Sequence, residues 1–302
     1  MIDMHCDVLL KLWEDSSKTF EDDDLHISYN KWMESPVQVQ YFAIFVPPEI
    51  DSDYFQATLD MVDLFHRKII EPYSNIKWVQ SKEDIEALKP HEKGAMLTLE
   101  GCHVIGEDLV KLRTLLRLGV KAVGLTWNTV NAVSGTCVEQ VDQGLTEFGK
   151  RVVETINEYD AFVDCSHLSP AGIDDVLKLA EKPMISHSNA KSVYHHDRNI
   201  SDDHLKQFFA KKAPVGVTFV PYFTQSDRAT IDDLMAHVDH MYQLGGRDSI
   251  AFGSDFDGVT ETIDHLHDIT DVHHVITALK DRYELADVYR MTYDNAIRLL
   301  DS

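Results

Sequence analysis

Eight short apolar runs recur along the 302-residue chain, most of them separated by amphipathic stretches, and this alternation constrains the fold more than any other feature. The runs lie at 2–6, 39–46, 95–99, 122–126, 162–165, 184–186, 215–220 and 250–253. Helical periodicity is readable over 54–70, 108–118, 147–158, 171–179, 202–211 and 231–244, then at 272–280 and 285–300 after the last run. Ser81, with Asp84 three residues on, marks one more helix start. Strands alternating with helices predict parallel β/α units. Eight of them predict an α/β fold, a (β/α)8 TIM-type barrel forming a single domain over residues 1–302, with extra C-terminal helices. A doubly wound sheet would place glycines in the first turn. Here that turn reads Cys6-Asp-Val-Leu9.

No repeat, low-complexity block or linker divides the chain, and the acidic run at 21–24 reads as a solvated loop. A hydrophobic content of 44% suffices for a core, while a net charge of −23 argues against nucleic acid and anionic membrane partners. The longest apolar run, 41–48, falls far short of the roughly 18 residues a membrane span needs. The N-terminal residues lack the basic and apolar regions of a signal peptide. Four scattered cysteines make no disulfide framework. The expectation is a cytoplasmic protein with reduced thiols.

Barrels build their sites at the C-terminal ends of strands. Five of the eight runs end there in a histidine or carboxylate: His5-Cys-Asp7, Glu100, His167, His187 and Asp255-Phe-Asp257. Strand residues two apart share a side, so His5 and Asp7 can converge on one ion. Three histidines and three carboxylates (Asp7, Glu100, Asp255) exceed the three protein ligands of one catalytic zinc. They match a two-metal site with one bridging carboxylate and a trapped hydroxide as nucleophile. Gly253 and Gly258 frame a turn that sends Asp257 elsewhere, leaving Asp255 as the site residue. Cys6, Cys102 and Cys165 flank the ligands but form no Cys-x-x-Cys pair, and they read as small buried hydrophobes. His265, His267, His273 and His274 follow the last strand with nothing to fix them, and they read as a solvated surface.

Several longer motifs carry a family resemblance: Thr98-Leu-Glu-Gly-Cys-His103, Leu125-Thr-Trp-Asn128, Leu145-Thr-Glu-Phe-Gly149, Val163-Asp-Cys-Ser-His167, Ile185-Ser-His-Ser-Asn189, His196-Asp-Arg-Asn199 and Gly253-Ser-Asp-Phe-Asp-Gly258. Together with His5-Cys-Asp7, and in this order, they resemble the membrane (renal-type) dipeptidases, peptidase family M19, within the metal-dependent amidohydrolase barrels. The resemblance runs nearly end to end. It implies two Zn²⁺ per chain: His5 and Asp7 on one, His167 and His187 on the other, Glu100 bridging. Asp255 would contact the first zinc and act as the proton-transferring acid/base, and Arg198 would bind the substrate's C-terminal carboxylate. The activity implied is dipeptide hydrolysis by metal-hydroxide attack on the amide, with tolerance for a C-terminal D-residue, in a homodimer.

One position departs from the family. Where close relatives of the mammalian enzyme carry histidine before the asparagine of the Leu125–Asn128 motif, this chain has Trp127, beside Asn128 in the expected substrate-binding segment. Indole donates a hydrogen bond but carries no charge. Either the ring nitrogen donates, the metals carry the oxyanion unaided, or the preferred substrate differs. His103 lies on another loop and reads as structural. Two alternatives remain: another amidohydrolase reaction (on a cyclic amide, lactone or β-lactam), whose usual signature is His-x-His, and a metal-binding descendant without activity. Side-chain preference, native metal and physiological substrate are not legible.

Overall fold

In the computed structural model, which describes residues 1–301, each of the eight apolar runs contributes a parallel strand. Counting along the chain these are β1 (Ile2–Asp3) and β2 (Val39–Phe45), a further β3 (Ile76–Trp78), then β4 (Lys93–Glu100), β5 (Val120–Gly124), β6 (Phe162–Asp164), β7 (Pro183–Met184), β8 (Val215–Val217) and β9 (Ile250–Phe252). One sheet runs β1-β2-β4-β5-β6-β7 and a second joins β8 to β9. A parallel bridge from Ile185 to Val215 links the two sheets. The other seam is backbone too: Met4 N–H donates to Phe252 O (2.9 Å) and Asp255 N–H to His5 O (3.2 Å). These bonds join the eight strands into a closed circuit, the TIM-type arrangement. At the β7 seam a Cβ on Gly216 or on Gly253 would stand 1.9 Å from Ser186 O, so both positions need glycine for close approach rather than for a turn.

The pleat sorts the core. On β4, Met96 belongs with Val39, Tyr41, Ala122, Phe162, Met184 and Ala251, residues of six strands that fill the barrel interior. The opposite parity, Ala95, Leu97 and Leu99, packs outward in the larger helix-facing core. Glu100 continues the Met96 parity, so its carboxyl opens at the barrel's C-terminal mouth.

Four elements differ from the sequence expectation. β3 pairs beside the first half of β4 (Ile76↔Lys93, Trp78↔Ala95), and β5 takes over from Leu97 onward. At three residues it is too short for a period. Helices Val8–Glu14 and Tyr29–Glu34 lie between β1 and β2, where no periodic pattern stood out. The helical stretch 285–300 exists in pieces, with π-helical Arg290–Asp294 between α-turns. The helix Lys82–Glu86 starts as read: the Ser81 hydroxyl accepts from Asp84 N–H and the Asp84 carboxylate from Ser81 N–H, both at 3.1 Å. Among the described residues no helix is long and apolar enough to cross a membrane.

Candidate metal centre and substrate cavity

All six candidate ligands stand at one rim. Glu100 is the last residue of β4, His5 and Asp7 follow β1, His167 follows β6, His187 follows β7 and Asp255 follows β9. His167 and Asp255 hold left-handed backbone, at φ +67° and +65°. A non-glycine residue costs about 1 kcal/mol or more in that region, a strain that persists where surrounding contacts fix it.

Glu100 organises the cluster, because its two oxygens face different groups. Oε1 lies 2.9 Å from His167 Nε2 and 3.5 Å from His187 Nε2, whereas Oε2 lies 3.7 Å from His5 Nε2. His5 Nε2 in turn stands 3.3 Å from Asp7 Oδ2 and 3.7 Å from Asp255 Oδ1. Among the described residues, two overlapping triads, His5–Glu100–His187 and His5–Asp7–Asp255, bring their donor atoms within 4.8 Å of one another.

Hydrogen bonds fix which ring nitrogens carry protons. His167 Nδ1 lies 2.7 Å from Asn128 Oδ1, an amide oxygen that only accepts, so Nδ1 donates and Nε2 keeps its lone pair. Ser186 Oγ donates to Asp164 Oδ2 and lies 2.7 Å from His187 Nδ1, which donates to it in turn. Asp164 also accepts the backbone N–H groups of Ser166 and Ser186, locking that relay. The two Nε2 atoms therefore meet lone pair to lone pair at 3.1 Å, beside a carboxylate oxygen. His5 Nε2 and Asp7 Oδ1 are buried with no hydrogen-bond partner. A converging set of acceptors with orphaned buried members fits divalent cations, and imidazole with carboxylate suits zinc.

The electrostatics are divided. Burial, reinforced by Arg198 and His5, holds both His167 and His187 well below the ordinary imidazole value. Burial would also depress His5, but Glu100 and then Asp7 and Asp255 outweigh it and lift the ring to about 10. Burial pushes Glu100 up to about 8 and Asp255 up to about 7.

A cavity of about 260 Å³ opens over the cluster, bordered by Asp7, Glu100, His167 and Asp255 and also by Arg198, Trp127 and Asn128. Arg198 is 3% exposed, with Nη1 3.3 Å from Ser188 Oγ, Nη2 3.3 Å from His187 O, and the guanidinium 5.2 Å from the Phe223 ring centroid. Among the described residues its Nε has no hydrogen-bond partner. Trp127 leans on Phe45, ring centroids 4.9 Å apart.

The remaining candidates separate from the cluster. Asp257 turns away and accepts the backbone N–H groups of His26 (2.8 Å) and Ile27 (3.0 Å). His103 Nε2 bonds Val46 O at 2.8 Å, a structural task. Cys6, Cys102 and Cys165 are buried and all four cysteines are free. His265, His267, His273 and His274 are exposed. The sequence reading missed Asp164 and Ser186 as ring-orienting residues, and Phe45 and Leu10 as cavity walls. The Val163–His167 and Ile185–Asn189 motifs contained the first pair, but neither residue follows an apolar run as a terminal ligand would.

The family model for membrane dipeptidases (peptidase family M19) matches residues 1–302. An uncharacterized dipeptidase of Schizosaccharomyces pombe is 31% identical over 277 residues, covering 85% of this chain and 67% of that protein. Dipeptidase tcpJ of Claviceps purpurea is 27% identical over 292 residues, 91% of this chain and 68% of its own. Among solved structures, a metallo peptidase from Rhodobacter sphaeroides, liganded with a phosphinate mimic of the dipeptide L-Ala-D-Ala, aligns with TM-score 0.92 over 99% of this chain and 98% of its own, at 24% identity. The chain belongs to the membrane dipeptidase family, peptidase family M19, and is a metal-dependent hydrolase of peptide bonds.

Proposed function

We propose that residues 1–302 act as one binuclear zinc dipeptidase domain that hydrolyses dipeptides, including those ending in a D-amino acid. The observation that carries this reading is the divided carboxylate of Glu100, one oxygen toward His167 and His187 and the other toward His5. His5 and Asp7 would hold one zinc, His167 and His187 the other, with Glu100 on both and Asp255 on the first. Bound there, zinc supplies Lewis acidity at the scissile carbonyl and a nucleophile of lowered pKa. Arg198 takes the substrate's C-terminal carboxylate in its fork, for which its place in the cavity lining and its buried Nε, without a hydrogen-bond partner among the described residues, suit it. Asp255 accepts a proton at its carboxylate and hands it to the leaving amine, a task suited to its place in the cavity lining beside His5. Trp127 and Asn128 line the substrate, Asn128 while holding the His167 ring.

The Rhodobacter sphaeroides neighbour's L-Ala-D-Ala mimic supports the D-residue tolerance. Four free thiols support a cytoplasmic setting, and the family resemblance supports a homodimer. Metal analysis of the purified protein, alongside turnover on a panel of L,L- and L,D-dipeptides, tests the whole reading. Two equivalents of zinc with hydrolysis are expected. On the same panel Asp255→Asn should lower kcat by about 10²–10⁴. Full activity in that variant would remove Asp255 from the acid/base role.

A further inference from the structure

The cavity over the ligand cluster has two chemically different ends. The circuit of eight strands fixes where they are. β7 and β2 stand four strands apart in either direction, so Arg198, held to His187 O just after β7, and Phe45, at the end of β2, enter the lining from opposite sides of the mouth. Arg198 and His196 mark one end, backed by Phe223. At the other end Trp127 packs against Phe45, and Leu10 adds to the same lining. Trp127 is not a loose side chain on a loop. The Thr136 hydroxyl sits between the carbonyls of Trp127 and His167, 2.9 and 2.8 Å away, tying the indole segment to the strand end that carries a candidate ligand.

We infer that Trp127, with Phe45 and Leu10, forms the pocket for the side chain of the substrate's N-terminal residue and selects bulky apolar side chains there. This rests on the dipeptidase reading above, with the substrate carboxylate at Arg198. A residue of extended chain spans about 3.3–3.6 Å. With the carboxylate at one end and the scissile carbonyl over the central cluster, the remaining residue lies beyond the cluster, at the Phe45 end. That end offers aromatic and aliphatic surface. The cavity's charged lining, apart from the candidate ligands, is Arg198 at the opposite end. A charged or hydroxylic side chain would lose water there and meet no charged partner at Trp127, Phe45 or Leu10, while a large apolar one would cover the indole face. Trp127 thus acts as a specificity-determining residue rather than as a polar substitute for histidine.

The test is kcat/KM of the zinc-loaded enzyme on five dipeptides that share C-terminal alanine and carry Phe, Leu, Ala, Ser or Asp at the N-terminus. Phe and Leu should exceed Ser and Asp by about 10–200-fold, the range a hydrophobic pocket can discriminate. Trp127→Ala should compress that ratio by at least tenfold, and Trp127→Phe should restore much of it. Phe45→Leu gives an independent variant should Trp127→Ala fold poorly, and a smaller ratio of Phe and Leu to Ser and Asp is expected. A flat or polar-favouring profile in the wild-type enzyme overturns the pocket but leaves the dipeptidase reading standing. An unchanged ratio in both Trp127→Ala and Phe45→Leu overturns their role. Absence of turnover on every member, with zinc bound, overturns the dipeptidase reading and the pocket with it.

Discussion

The two sides of Glu100 hold the same kind of ring in opposite electrostatic states. His167 and His187 are neutral, each with Nδ1 committed to an oxygen (Asn128 Oδ1, Ser186 Oγ) and Nε2 open. His5 sits among Glu100, Asp7 and Asp255, and each of these carboxyls that is ionised favours the protonated ring. Only the company differs, since the three rings are all buried. A histidine becomes a ready ligand when its far nitrogen is satisfied by an acceptor, and a cation holder when carboxylates surround it. On the proposed reading, the His167 and His187 rings take a metal as they stand, whereas the His5 ring must first shed its proton.

Replacing Glu100 with Gln touches both sides and has the largest expected effect. Bound zinc, counted by elemental analysis after dialysis, should fall below the two equivalents expected of the wild type. Turnover should drop by at least as much as in Asp255→Asn, because several kcal/mol of metal-derived stabilisation go with it. A Glu100→Gln protein retaining both metals would dissolve the idea of a shared carboxylate.

The pH dependence of zinc uptake sharpens the contrast. Metal-free Glu100 and Asp255 keep their protons up to about 8 and about 7, and His5 up to about 10. Their folded values lie above the ordinary ones, so metal must displace protons, and affinity climbs with pH by about tenfold per unit for each proton released. Glu100 gives up its proton to the first ion bound. His5 and Asp255 give up theirs to the ion on their own side, whereas His167 and His187 have none to lose. Competition titrations of the chelated protein at pH 6 and pH 8 should therefore give one step of shallow and one of steep pH dependence. Equal slopes would mean that the two sides do not differ.

Asn128→Leu tests the ring-orienting side alone. Without the acceptor for His167 Nδ1, zinc affinity at that side should fall by about 10–100-fold, and Asn128→Asp should recover most of it. The smallest effect is reserved for the C-terminal histidines. His273→Ala and His274→Ala remove exposed rings, so zinc content should stay unchanged and stability should move by about 0.5 kcal/mol or less, read by chemical denaturation.

Those surface histidines also show what the sequence made legible. His5, His167 and His187 were visible as candidates because each follows an apolar run, and the strand end both aims and buries the ring. His273 and His274 have the same side chain with no strand behind it. Glu100 was readable from the same logic, and the barrel from eight runs with helices between. What stayed hidden depends on separations that no local pattern carries. Asn128 meets His167 across 39 residues and Asp164 meets Ser186 across 22. β3 is three residues long, and its pairing depends on the free edge that the first half of β4 presents. Trp127 departs visibly from the family motif, but its contact with Phe45 emerges only once β2 and β5 flank β4.

The seam between β1 and β9 sets the order of events in synthesis. Ser254 Oγ donates to Asp3 Oδ2 at 2.6 Å across 251 residues, and Asp257 reaches back to His26 and Ile27. A growing chain carries His5 and Asp7 long before it carries β9, the strand that closes the barrel beside them, and Asp255 with it. Contacts of such long range are slow to form, because loop closure precedes any reward. On the proposed reading, a chain that stops short of β9 lacks Asp255 and would be inert toward peptide bonds.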